Sequence, residues 1–206
     1  MKEQLSLLLG RSVSRETLAS FDAYLSLLGK WNDKINLVSG STLQETTTRH
    51  FLDSAQIANV APLTGSWADF GSGAGFPGLV LALIGQGSHP FFEMTLVESD
   101  HRKCAFLREV IRAASIHANL MNTRIEELSG PGFDVVTARA LAPLPKLLDL
   151  SAPRLKPGGI CVFLKGANAR KEIQDAQRTW SFDLELHASR TQTDAHILVL
   201  RKLVRV

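Results

Sequence analysis

The ten residues from Asp69 to Gly78, DFGSGAGFPG, hold four glycines directly behind an apolar run, and few folds accommodate such a stretch. A glycine-rich turn between a strand and a helix lets the backbone take positive φ and approach a ligand with no Cβ in the way. In open α/β sheets such turns lie at the C-terminal ends of strands, where these sheets bind ligands. Pro77 suits the first turn of the following helix, where its missing N–H costs nothing. The stretch fits two registers. From Gly73 it is a literal G-x-G-x-x-G, the dinucleotide fingerprint. From Asp69 it is an acidic residue followed by Gly71-Ser72-Gly73-Ala74-Gly75, the shape of an S-adenosylmethionine loop.

The surroundings separate the two. After residue 65, short apolar runs alternate with helical stretches. WADFG, MTLVES, FDVVTARA and ICVFLKG read as strands, each followed by a helical segment such as HRKCAFLREVIRAASI. Such alternation predicts a parallel sheet with helices on both faces. FDLELHAS and AHILVLRKLV are joined by RTQTD with no helix between them, which predicts an antiparallel hairpin finishing the sheet. A dinucleotide dehydrogenase would continue with a second set of βαβ units. Asp69, the terminal hairpin and the length of 206 residues therefore favour S-adenosyl-L-methionine and the class I Rossmann-like methyltransferase fold. A methyltransferase acting on a small molecule or a protein and an NAD-binding oxidoreductase are the competing readings. Glu98, about twenty residues beyond the loop at the end of MTLVES, can accept hydrogen bonds from ribose hydroxyls and serves either cofactor.

Residues 1–64 read as a helical N-terminal extension. Leu18, Phe21, Leu25 and Leu28 fall at i, i+3, i+7 and i+10, one face of an amphipathic helix with Ser14 and Thr17 at its start and Gly29 closing it. Helical signals continue through TLQETTTRHFLDSAQIANV. No low-complexity linker separates this part from the methyltransferase domain, residues 65–206, so the two are expected to form one compact unit. A hydrophobic fraction of 45% can build the core. The net charge of +3 suits a nucleic-acid partner without demanding one. The run LSLLLG is too short to span a membrane and lacks a cleavage site, so a cytoplasmic protein is expected. Cys104 and Cys161 lie far apart, with no partner at ligand spacing. They read as a helix residue and a core residue, with no metal site.

The acceptor is narrowed by motifs that do not occur. The fourth strand runs into Ala138-Arg139-Ala140-Leu141-Ala142-Pro143, with no [N/D/S]-P-P-[Y/F] box to hold an exocyclic amine. Methylation of pyrimidine C5 needs a thiolate nucleophile on a loop, whereas Cys161 follows Ile160 inside an apolar strand. A ring nitrogen, a thiolate or a hydroxyl remains.

Six segments in order, KWNDKINLVS (30–39), RHFLDS (49–54), DFGSGAGFPG, ESDHRKCAFLREV (98–110), FDVVTARA (133–140) and KPGGICVFLKG (156–166), carry a specific resemblance. The chain resembles the RsmG family of bacterial 16S ribosomal RNA methyltransferases, once called glucose-inhibited division protein B. The resemblance implies methyl transfer from S-adenosylmethionine to N7 of one guanine, guanine 527, in 16S rRNA. It implies as partner the rRNA itself, the small ribosomal subunit or its assembly particle, with the enzyme a monomer.

Carried over by position, the family's cofactor contacts fall on Gly71, Phe76, Ile125, Glu126 and Arg139. Asp69, Gly73 and Gly75 of the loop and Glu98 at the ribose complete the expected cofactor set. Phe76 is expected to wall the cleft, and Ile125 and Glu126 to border the adenine at the end of the third strand. The chain departs from the family in having Glu98 where an aspartate is common and Ala138 where a serine is common. Guanine N7 carries no proton, so its attack on a sulfonium methyl needs no general base. Candidates for RNA contact are Arg49, His50, Arg102, Lys103, Arg139, Lys165 and Arg170. Of these, Arg139, His50 and Lys165 lie in family motifs and are the candidate catalytic residues. Trp31 and Phe51 could stack on a base, but core packing is the expectation for both.

Overall fold

The computed structural model describes residues 2–38, 47–86 and 91–206. Two helices come first, α1 (Lys2–Leu9) and α2 (Arg15–Ile35). Ser14, in extended conformation, caps α2 by accepting the Thr17 N–H at 3.1 Å, as its spacing predicts. Gly29 does not close the helix. The chain stays helical to Ile35 and stops at Asn36, whose φ of 47° is left-handed and whose N–H donates to the Asn32 carbonyl. One glycine inside a helix costs about 1 kcal/mol. Burial of Leu28 before it and Asn32 after it outweighs that.

The next stretch is helical but irregular: a π-helical turn (Thr47–Leu52), one α-turn (Asp53–Ala55) and a 3₁₀ turn (Gln56–Asn59). Residues 42–46 of the stretch read as helical lie outside the described residues. Among the described residues, no helix is long and apolar enough to cross a membrane.

The sheet has seven strands in the order β3-β2-β1-β4-β5-β7-β6. The parallel part consists of β1 (Gly65–Phe70), β2 (Phe92–Val97), β3 (Asn119–Met121), β4 (Phe133–Arg139) and β5 (Leu155–Lys165). The helices α3 (Gly78–Gly85), α4 (His101–Ala113), α5 (Leu144–Ser151) and α6 (Ala169–Ala176) follow β1, β2, β4 and β5. The hairpin read from the sequence is formed by β6 (Trp180–Ala188) and β7 (His196–Arg205). β7 lies antiparallel between β5 and β6. Strand order reverses between β1 and β4, which opens a crevice at their C-terminal ends. One detail differs from expectation. Pairing of β3 stops at Met121, so Ile125 and Glu126 lie in a 3₁₀ turn beyond the third strand and not at its end.

Alternate residues of β1, β4, β5 and β7 face two separate cores. On β1, Trp67 joins the core that includes α2, α3 and α4, while Ala68 and Phe70 join the core under α5 and α6. The first core also takes Leu5, Phe21, Tyr24, Leu28 and Phe51, so the N-terminal helices share a hydrophobic interior with the sheet. Tyr24 ties them to the glycine loop. Its ring packs 5.5 Å from that of Phe76, and its buried hydroxyl donates to the Ala74 carbonyl. Tyr24→Phe leaves that carbonyl unpaired inside the core. The expected loss of stability is about 1–3 kcal/mol in denaturant unfolding; an unchanged midpoint would show that the tie contributes nothing.

Candidate active site

The glycine loop is braced from below. Asp69 sits in β1 opposite Thr137 of β4 and is fully buried. Its Oδ2 accepts the Gly78 N–H at 3.1 Å, and its Oδ1 accepts the Thr137 hydroxyl at 3.1 Å. Asp69 therefore holds the loop in shape from inside the protein. Gly78 is required for this contact, because a Cβ there would lie 2.7 Å from Asp69 Oδ2 and 2.4 Å from Leu96 Cδ2. Gly71, Gly73 and Gly75 all have positive φ, at 64°, 55° and 92°. Burial pushes the Asp69 carboxyl up to about 6, against the hydrogen bonds it accepts.

Glu98, also buried, grips the other side of the loop. Its Oε2 accepts the Gly73 N–H at 2.9 Å and its Oε1 accepts the Asp100 N–H at 2.8 Å. Each carboxylate oxygen has lone-pair capacity left for a further donor such as a ribose hydroxyl.

Two clefts open at the strand reversal. The first, about 400 Å³, is lined by Gly71, Val97, Glu98, Lys103, Ile125, Glu126 and Leu141 among others. Apolar Ile125 and Val97 beside the accepting carboxylate of Glu98 form a lining that fits an adenosine. The second, about 490 Å³, is lined by Arg49, His50, Asp53, Lys165, Glu172 and His196 with their neighbours. Arg139, Ala140, Leu141 and Ala142 line both clefts and form the wall between them. Ala140 turns the chain at the end of β4 with a φ of 52°.

Phe76 is buried and supports this wall from behind. Around it lie Tyr24, the His50 ring at 5.1 Å, the Phe51 ring edge at 5.2 Å and the Arg139 guanidinium 4.8 Å above its centroid. Its contacts are thus with the residues that shape the clefts. Arg139 pairs with Asp53 Oδ2 at 3.7 Å. Asp53 Oδ1 accepts from Gln56 Nε2 (2.7 Å), Thr191 Oγ1 (3.1 Å) and Ser189 Oγ (3.4 Å). Burial raises the Asp53 carboxyl, and the Arg139 charge and these hydrogen bonds work against the rise.

His50 finds no hydrogen-bond partner for either ring nitrogen among the described residues. Burial first, then the charges of Arg139 and Arg49, drives its imidazole down to about 4 and keeps it neutral at neutral pH. Lys165 is occupied. Its Nζ donates to the Ala142 carbonyl (2.6 Å) and to Glu172 Oε2 (2.7 Å), which also accepts the Leu144 N–H. The ion pair of buried Lys165 with half-buried Glu172 thus holds the dividing wall from the side of the second cleft.

Of the candidates read from the sequence, the structure brings Arg139, His50, Lys165 and Arg49 to one cleft and Glu98, Ile125, Glu126, Gly71 and Lys103 to the other. Arg102 is exposed and sits 3.6 Å from Asp100 at the start of α4; Arg170 is exposed on α6. Phe51 belongs to the core, and half-buried Trp31 donates its Nε1 to Glu109 Oε2. Sequence reasoning missed Asp53, Tyr24, Glu172 and Leu141. Asp53 stands three residues after His50, which puts both on one face of a helical turn. Tyr24 lies between Phe21 and Leu28 on the apolar face of α2. Glu172 carries no local signal.

Two substitutions separate the brace from the cleft. Asp69 binds its proton more tightly folded than unfolded, so its contribution to stability is greatest in acid and falls as pH rises from about 4 through 6. Asp69→Asn removes this fall. Its stability relative to the parent should rise by about 2 kcal/mol between pH 4 and 7, and a pH-independent difference would contradict a buried carboxylate. At Gly73 a Cβ meets nothing closer than the Gly71 carbonyl at 3.7 Å, and aspartate tolerates left-handed φ. Gly73→Asp should therefore fold, yet place a charge beside Glu98 at the cleft. Loss of S-adenosylmethionine binding by about 100-fold or more is expected in calorimetric titration; unchanged affinity would mean that the loop is not the binding surface.

A family model described as rRNA small subunit methyltransferase G matches residues 17–198. The chain is 46% identical over 194 residues to the ribosomal RNA small subunit methyltransferase G of Methylobacterium nodulans, covering 93% of this chain and 92% of that protein. It is 48% identical over 192 residues to the protein of the same name from Rhodospirillum centenum, covering 93% and 87%. Among solved structures, the ribosomal protein L11 methylase of Lactobacillus delbrueckii superposes with a TM-score of 0.56 at 18% identity, covering 76% of this chain and 78% of that one. The N-methyltransferase NodS of Bradyrhizobium japonicum, in complex with S-adenosyl-L-homocysteine, gives 0.53 at 15% identity, covering 87% and 98%. These two likenesses concern the fold alone. With its sheet that of the class I S-adenosylmethionine-dependent methyltransferases and the family model matched across residues 17–198, the chain belongs to the rRNA small subunit methyltransferase G family.

Proposed function

We propose that this protein methylates N7 of one guanine, guanine 527, of 16S rRNA, with S-adenosylmethionine in the first cleft and the target base in the second. The observation that carries the reading is the pair of clefts meeting at a single wall, Arg139 to Ala142, where the strand order reverses. The relatives, ribosomal RNA small subunit methyltransferases by name, point to small-subunit rRNA as the substrate.

S-adenosylmethionine supplies an electrophilic methyl group when bound. Glu98 accepts the ribose hydroxyls while it keeps hold of the Gly73 N–H. Ile125 and Val97 pack against the adenine, with Glu126 at its rim. The backbone of Gly71 to Gly75 faces the methionine part. On the acceptor side, Arg139, His50 and Lys165 contribute position more than proton transfer. His50 is neutral, and Lys165 is held by Ala142 and Glu172. An acceptor nitrogen with an available lone pair asks no general base of the site, and catalysis then rests on in-line placement. The deep major groove of A-form RNA hides N7, so the target base must lie in a loop or leave its stack. Arg49 at the cleft mouth is placed to meet the RNA backbone. In this reading the protein acts in the cytosol as a monomer, on rRNA or an assembling small subunit, and residues 1–64 and 65–206 work as one unit.

The test uses small subunits from cells that lack this enzyme. Incubated with the purified protein and labelled S-adenosylmethionine, their 16S rRNA should gain 7-methylguanosine at one position by nucleoside analysis. Label on another nucleoside, on ribosomal protein or on a small molecule would overturn the reading.

A further inference from the structure

Arg139 is the one long cation that borders both clefts among their described lining residues, and its direction depends on what surrounds its guanidinium. Beneath it lies the Phe76 face, 4.8 Å from the guanidinium carbon. An aromatic face fixes height but not heading, because the attraction changes little as the cation turns over the ring. The heading comes from Asp53 Oδ2 at 3.7 Å. Both side chains are largely withdrawn from water, with 18% of Arg139 and 13% of Asp53 exposed, so the pair is weakly screened by solvent.

Asp53 is itself immobilised, and by groups unrelated to Arg139. Gln56 from the next turn, and Ser189 and Thr191 from the turn between β6 and β7, all donate to its other oxygen. Gln56 is held in its turn, since its Nε2 also meets Ser189 Oγ and its Oε1 accepts the Arg190 N–H. One carboxylate oxygen is thus anchored by three donors while the other is offered to the guanidinium. A counter-ion serving charge balance alone would need no such anchoring. A group that sets an angle does, because rigidity in the supporting residues is what transmits geometry to a site.

We propose that Asp53 is a positioning residue for methyl transfer: it orients Arg139 across the wall between the cofactor cleft and the acceptor cleft. The inference rests on the reading above, in which the target base occupies the second cleft. Asp53 lines the second cleft, and in this role it acts through Arg139.

The experiment is a double-mutant cycle on single-turnover methyl transfer to small subunits that lack the modification. Asp53→Asn preserves the shape and an acceptor for Gln56 and Thr191 but removes the charge facing Arg139. Its rate should fall by about 10- to 100-fold, the scale of an ångström-size misplacement in a site. In an Arg139→Ala background the same substitution should change the rate by less than about twofold, since the residue it acts through is gone. Asp53→Glu, which keeps the charge, should recover part of the loss. A parental rate in Asp53→Asn overturns the proposal, as does an equal loss in the Arg139→Ala background, which would mean a separate structural role. Should Asp53→Asn fail to fold, Asp53→Glu enters the same cycle: a loss that vanishes with Arg139 supports the proposal and an additive one overturns it. Nucleoside analysis of the parent's product tests the guanine-N7 reading separately, because the cycle counts methyl groups transferred whichever base receives them.

Discussion

The burial of Phe76 is the constraint on which the rest of this site depends. One ring, inside the glycine loop, packs against Tyr24 from α2, Phe51 and His50 from the irregular helical stretch, and the guanidinium at the end of β4. Aromatic contacts of this kind contribute about 0.5–1.5 kcal/mol beyond area burial. Three segments distant in sequence converge here on one side chain, and that convergence makes the N-terminal helices part of the active-site architecture. Without α2, the loop would lose both the ring stacked on Phe76 and the hydroxyl that holds the Ala74 carbonyl.

Around that centre four charged groups are engaged before any ligand arrives. Asp69 holds the helix start at Gly78, Glu98 holds Gly73, Lys165 with Glu172 holds Ala142 and Leu144, and Asp53 holds Arg139. Each is a carboxylate or ammonium that would be costly to leave unpaired in a half-dry site. Pairing three of them with the backbone of turns serves both needs: the charges are satisfied and the turns are held in shape. A reaction that asks for alignment more than for proton transfer is well served by such a site.

Much of the fold was legible because it rests on periodicity and local chemistry. The strands WADFG, MTLVES, FDVVTARA and ICVFLKG, and the closing hairpin, announced themselves by apolar runs of strand length. Ser14 announced the start of α2 by its side chain. The errors share a cause. Gly29 reads as a stop by local propensity, but Leu28 and Asn32 are buried on the same helix, and packing overrides propensity. Ile125 and Glu126 read as strand because nothing local reveals that β3 loses its partner after Met121. Asp69 was legible as a loop residue, but its role as a buried brace depends on Thr137 in a strand sixty-eight residues away.

The sequence by itself determined the class of fold, the place of the glycine loop and the family, since all three follow from short-range pattern and from segments in fixed order. Tertiary structure decided which charges are free. His50, Lys165 and Arg139 look alike as polar residues in motifs. Folding makes the first neutral by burial, engages the second with Glu172 and aims the third at Asp53. The reason is physical: ionisation and orientation depend on desolvation and on neighbours within a few ångströms, and those neighbours come from segments that only the sheet and its two cores bring together.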